Sequence, residues 1–189
     1  TILVPQMAPI HFRLLKHAFE KSGYHIEILP TVDHQAIEEG LKYINNDACY
    51  PTILVAGQMM AALKSGKYDL NKVALAITQT GGGCRASNYV GFIRKALADA
   101  GMGQIPVIAL SASGIEKHPG FKITPMLLHR VMVALVYGDV LMRLVQRQRP
   151  YEAEKGSADA LYEKWHARAA HNVENGSLPE FHRNIRGMV

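Results

Sequence analysis

Cys49 and Cys84 are the side chains best suited to do chemistry in this 189-residue sequence, and they are its only two cysteines. Each stands in a polar or glycine-rich turn just before a stretch with helical spacing. Cys49 lies in Asn45-Asn46-Asp47-Ala48-Cys49-Tyr50-Pro51, and Cys84 in Thr78-Gln79-Thr80-Gly81-Gly82-Gly83-Cys84-Arg85. A thiol at a helix N-terminus feels the positive end of the helix dipole, which favours its thiolate. The thiolate is the form that binds a metal or attacks an electrophile. Two such thiols in similar surroundings suggest one shared site. The plain alternative is that each is a small buried hydrophobe.

The residues around Cys84 sharpen the first reading. Gly81, Gly82 and Gly83 let the backbone approach a bulky inorganic group, and their N–H groups can donate to its sulfides. Arg85 beside the thiol stabilises a thiolate and offsets the negative charge of a thiolate-ligated cluster. The same glycines could instead serve a tight turn, and Arg85 a solvated helix start. The loop lacks the full dinucleotide fingerprint and the Lys-Ser/Thr that closes a phosphate-binding P-loop. Ser87 and Asn88 read as helix caps, Asn45, Asn46 and Asp47 as turn residues, and Tyr89 as packing. His11, His17, His25 and His34 fall on separate elements, and no Cys-x-x-Cys occurs, so a structural zinc site is not indicated. No serine-hydrolase elbow is present.

The elements that must position these residues alternate. Thr1–Val4 reads as a strand, and His11–Lys21 as a helix with Leu14, Leu15, Ala18 and Phe19 on one face. Tyr24–Leu29 is a second strand, and Asp33 caps a helix reaching about Ile44. Pro51 suits the first turn of a helix that Ser65-Gly66 ends. Val73–Ile77 is an all-apolar strand, the mark of a sheet covered on both faces. A helix over Ala86–Ala100 and a strand over Ile105–Leu110 follow. The expected fold is α/β: a Rossmann/flavodoxin-like three-layer domain with about four parallel strands and a C-terminal helical extension. Residues 1–115 form the α/β half-domain. Residues 116–189 form the extension, packed on that half-domain or on a missing domain. The extension holds a long apolar helix over Thr124–Val145, a second helix over Ala158–His171, and then a loop with a truncated helix start over 172–189.

Ligands of such sheets gather at the carboxyl ends of the strands. Cys84 falls there, after strand Val73–Ile77. Cys49 opens the helix leading into that strand, and its end of the helix could face either side.

Composition narrows the class. The net charge is +5 with no basic run, which argues against a nucleic-acid or membrane surface. No signal peptide and no uninterrupted apolar run of membrane-spanning length stands out. Two cysteines make no disulfide framework, so a reducing cytoplasm is the expected compartment. The sequence lacks an initiator Met and stops abruptly, as expected of a piece of a longer polypeptide.

The two cysteine motifs, with Gly57, Gly66-Lys67-Tyr68-Asp69, Ala86-Ser87-Asn88-Tyr89, Pro106-Val107-Ile108-Ala109-Leu110-Ser111, Pro119-Gly120-Phe121-Lys122 and Arg149-Pro150-Tyr151-Glu152, resemble one family. It is the dehydratase-like module of the large activases of 2-hydroxyacyl-CoA dehydratases, the CoA-substrate-specific enzyme activases. The resemblance covers most of the chain. It implies an iron–sulfur cluster, of 4Fe-4S type, bound by cysteines from two Rossmann-like half-domains. Cys49 and Cys84 match the cluster ligands, with Gly82, Gly83 and Arg85 beside them. It implies ATPase modules and a second dehydratase-like half-domain as partners. ATP then acts only through domains outside this chain, and a CoA thioester is the substrate or belongs to the partner enzyme. A cubane cluster takes four ligand positions, so on this resemblance a third cysteine comes from the missing half-domain, with the fourth position open or filled otherwise. On this reading the chain neither hydrolyses ATP nor turns over by itself.

Two other readings stay open. In one, Cys84 is a nucleophile or redox thiol beside Arg85 in a small-molecule, acyl-CoA site. In the other, the Thr124–Val145 helix is the interface of a docking scaffold and the cysteines are inert.

Overall fold

The computed structural model of the chain describes residues 1–30, 33–79, 88–111 and 120–189. Four strands, β1 (Ile2–Val4), β2 (Ile26–Ile28), β3 (Ala74–Gln79) and β4 (Val107–Ser111), form one all-parallel sheet in the order β2-β1-β3-β4. This is the order of the first four strands of a flavodoxin-like sheet. Helices surround it, as the strand–helix alternation implies. Leu75, Ala76 and Ile77 are buried in succession, as are Val107, Ile108 and Ala109, so neither face of β3 or β4 is left to water.

The described chain divides into two compact units that do not follow chain order. One unit comprises Thr1–Gln6 and His25–Lys122; the other comprises Met7–Tyr24 and Ile123–Val189. The first contains the sheet with α2 (His34–Tyr43), α3 (Tyr50–Lys64) and α4 (Tyr89–Asp99). The second contains α1 (Pro9–Glu20), α5 (Pro125–Gln148), α6 (Ser157–Asn175) and α7 (Leu178–Met188). Each has its own apolar core. Leu3, Ile53, Met59, Met60, Leu75, Ile77 and Ile93 centre the first.

In the sheet unit α2 and α3 pack in very close contact. A Cβ on Gly40 would stand 2.2 Å from the carbonyl oxygen of Ile53, and one on Gly57 would stand 1.7 Å from that of Ala36. Only glycine fits at either crossing point. A charge cluster closes the same pair: the nearly buried Glu39 of α2 accepts from Lys42 and, at 2.8 Å, from Lys64 of α3. Hydrogen bonds from these two ammonium groups hold the Glu39 carboxyl below its ordinary range and outweigh its partial burial. The cap on Asp33 is present, its side chain accepting from Ala36 N at 2.9 Å.

In the helical unit Leu14 and Ala18 of α1 meet Ala134, Tyr137 and Leu141 of α5 and Ala169 and Val173 of α6. The Tyr137 hydroxyl donates to Asn172 Oδ1 at 2.7 Å and accepts from Asn184 Nδ2 at 3.0 Å, which ties α5, α6 and α7 together. Residues 172–189 differ from the expected loop and truncated helix start. Helix α6 continues to Asn175, Gly176 ends it at φ +70°, and α7 is a complete helix. The start signal is a Ser177-x-x-Glu180 pattern, with the Ser177 side chain accepting from Glu180 N.

By length and composition α5 could cross a membrane: an 18-residue window within Pro125–Tyr151 has a mean hydropathy of 1.4. Core helices pass the same test, and Ala134, Tyr137 and Leu141 are buried in the helical unit. Leu128, Met132, Leu135 and Val136 form an exposed apolar stripe on it.

Candidate thiol site at the start of α3

The turn before α3 is built by the residues read as turn formers. Asn45 accepts from Asp47 N through its side chain and from Ala48 N through its carbonyl. Cys49 is the N-cap of α3, with extended backbone (φ −63°, ψ 140°), and Pro51 sits within the first turn. The thiol is half-buried and packs against the edge of the sheet unit's core.

The side of the sheet that Cys49 occupies follows from register. Ile2 pairs with Ala74 and Leu3 with Leu75, so Val4 is level with Ala76. Strand β3 then runs three residues further to Gln79, about 10 Å beyond the end of β1. Just past β1, Gln6 N donates to Gln58 Oε1 at 3.0 Å. Going back along α3 from Gln58 to Cys49 spans nine residues, about 13 Å. Cys49 is therefore on the carboxyl-end side of the sheet, where ligands of such sheets gather. Independently, Cys49 Sγ lies 3.9 Å from the hydroxyl of Tyr89, the first residue of α4, which follows β3. The sequence left this side undecided.

Two hydroxyls approach the sulfur. Thr52 Oγ1 is 2.8 Å from Sγ, and Thr52 is buried. Tyr89 is buried as well. Neither was read from the sequence as part of a site. Thr52 was legible in principle, because residues three apart share a helix face. Tyr89 was not, because its approach depends on the packing of α4 beside α3. Asn88 occupies the N-cap position of α4, yet its side chain makes no capping hydrogen bond.

The electrostatics favour an anion. The N-termini of α3 and α4 converge here, and the first turn of neither contains an acidic residue. Their partial positive charge is not neutralised by carboxylates of those turns.

The connection from β3 to α4 lies outside the described residues, and with it Gly81, Gly82, Gly83, Cys84 and Arg85. Among the described residues no group of three or more His, Cys, Asp or Glu side chains is placed to hold a metal ion. His11, His17 and His34 each face a carboxylate, at 2.9 Å (Asp139), 2.8 Å (Glu174) and 3.2 Å (Glu38).

Compared with known proteins, the chain matches no family model, no curated protein and no solved structure.

Proposed function

We propose that this chain is an iron–sulfur-binding, electron-transfer module of a larger ATP-coupled activase or reductase related to 2-hydroxyacyl-CoA dehydratases, working in the cytoplasm. The observation that carries the reading is the position of Cys49: a thiol at a helix N-terminus, on the carboxyl-end side of the sheet and next to the first residue of α4. Tyr89 is five residues from Cys84, so chain length alone keeps their Cα atoms within about 18 Å.

The donor set suits a thiolate-ligated anionic group. Cys49 supplies one sulfur, and Thr52 and Tyr89 bring hydroxyls to it. The N-termini of α3 and α4 add positive potential. In this proposal Cys84 supplies the second sulfur, and Gly82, Gly83 and Arg85 add N–H donors and a positive charge. When bound, a 4Fe-4S cluster supplies one-electron transfer at a potential set by hydrogen bonds and nearby charge. A third cysteine comes from a second dehydratase-like half-domain, and the fourth position is open or filled otherwise. ATP is handled by separate modules, and a CoA thioester is the eventual electron acceptor or belongs to the partner enzyme.

The test is anaerobic reconstitution of the complete polypeptide with iron and sulfide, followed by iron content and electron paramagnetic resonance. A cluster in the wild type that is lost in both Cys49→Ser and Cys84→Ser supports the proposal. No cluster in the wild type, or one indifferent to both substitutions, overturns it.

A further inference from the structure

A second site lies in the sheet unit, beside the carboxyl end of β2. A cavity of about 220 Å³ opens between that strand end, α2 and α3. Its walls are small and apolar, with Leu29, Ala36 and Ala62 among them, and Tyr68 lines it too. Inside, Gln58 is 6% exposed. Its orientation is fixed, because the backbone N–H of Gln6 can only donate and therefore takes Oε1, at 3.0 Å. The Gln58 NH₂ is thus the group left for the cavity, and it meets no acceptor among the described residues. An acceptor on a ligand entering the cavity can take the hydrogen bond of this NH₂.

The rim carries the opposite chemistry. Asp33 is exposed there, and one of its oxygens caps α2 through Ala36 N. The second oxygen is an acceptor for hydroxyl donors. Lys67, also in the lining, is paired with Glu27, and that contact is the largest cause raising its pKa. Among the described lining residues no cation is uncommitted, and Asp33 repels carboxylates and phosphates. A ligand that fits has a compact, weakly polar body, an acceptor for Gln58 Nε2 and hydroxyls for Asp33. The volume is below the roughly 300–1,000 Å³ of pockets for drug-sized ligands, which suits one nucleoside rather than a dinucleotide.

We propose that this cavity binds a nucleoside, with the base between the small side chains, a base acceptor on Gln58 Nε2 and the ribose hydroxyls on Asp33. The site is separate from the cysteine site, and either can fail without the other.

The test uses adenosine and 2′,3′-dideoxyadenosine as probes, with binding to the 189-residue chain followed by saturation-transfer NMR and titration. Adenosine should bind saturably. The dideoxy compound should bind about tenfold more weakly, the loss of a hydrogen bond to a charged group. In Asp33→Asn, which keeps a capping oxygen, adenosine should weaken by a similar factor and the difference between the two probes should vanish. Ala62→Leu should abolish binding by filling the cavity. If Ala62→Leu does not fold, the two probes on wild type and Asp33→Asn still decide. The proposal is overturned if adenosine does not bind saturably, if a folded Ala62→Leu binds it as well as wild type, or if the two probes do not differ on wild type.

Discussion

The sulfur of Cys49 lies 3.9 Å from the hydroxyl of Tyr89, and this one contact brings the N-termini of α3 and α4 together at the carboxyl end of the sheet. Residues forty apart in sequence thereby share a site with no carboxylate in either first turn. Thr52 completes the described part of it, 2.8 Å from the same sulfur.

The first prediction concerns that hydroxyl. A donor to the thiolate favours the charged form, so Thr52→Val should slow alkylation of Cys49 at neutral pH by about three- to tenfold. Tyr89→Phe should have a smaller effect, given its longer contact. The measurement is the rate of iodoacetamide reaction against pH in the Cys84→Ser background, where Cys49 is the only thiol. A rate unchanged by Thr52→Val would show that the hydroxyl does not act on the sulfur.

Gly57 tests the α2–α3 contact. In an exposed helix interior, Gly→Ala stabilises by about 1 kcal/mol. Here a Cβ would run into the carbonyl oxygen of Ala36, so Gly57→Ala should destabilise by about 3 kcal/mol. Urea denaturation followed by circular dichroism gives the sign directly.

Glu39 tests the charge cluster on the same helix pair. Glu39→Gln removes the negative charge that Lys42 and Lys64 share, and should cost about 1–2 kcal/mol after allowing for the exposure of both lysines. Because the folded carboxyl is held below its ordinary value, its contribution is present above the unfolded pKa of about 4.5 and fades as pH falls. The same denaturation experiment at neutral pH and at pH 3 should show the difference between wild type and Glu39→Gln shrinking in acid.

His166 gives the helical unit its own pH dependence. Its Nε2 is buried without a hydrogen-bond partner among the described residues. Burial, reinforced by the charge of Arg13 and by His17 and opposed by Glu163, pushes the imidazole from 6.5 down to about 4. The unfolded chain takes up the proton first, so the unfolded state binds more protons between those values. Stability is complete above about pH 6.5 and falls by about 3 kcal/mol as pH drops to about 4. His166→Phe should flatten this slope. A helical unit whose thermal midpoint follows the same curve in both proteins would refute the assignment.

Much of the fold was legible because local pattern and final structure agree. The all-apolar Val73–Ile77 run became a doubly covered strand, Asp33 capped α2 and Pro51 fell in the first turn of α3. What escaped depends on distant packing. Nothing local assigns α1 to the helical unit; Leu14 and Ala18 do so by meeting Tyr137 and Ala169, more than a hundred residues away. Helix α7 was legible in principle, because Ser177 and Glu180 mark its start and Phe181, Ile185 and Met188 recur on one face. At the candidate thiol site, the types and spacing of Asn45 to Pro51 pointed to Cys49 as a candidate. Its neighbours Thr52 and Tyr89 emerged only from the packing of α4 beside α3.

In the proposed function Cys49 and Cys84 share one site. The chain has no other cysteine, so a bifunctional thiol reagent tests the claim without engineering. Dibromobimane, which bridges only thiols close enough to react with one molecule, would be applied to the native, metal-free, reduced chain, and the products read by mass spectrometry of the digest. A shared site gives a Cys49–Cys84 bridge that disappears on denaturation and in either cysteine-to-serine variant. Native chains in which each thiol is alkylated separately and no bridge forms would contradict it.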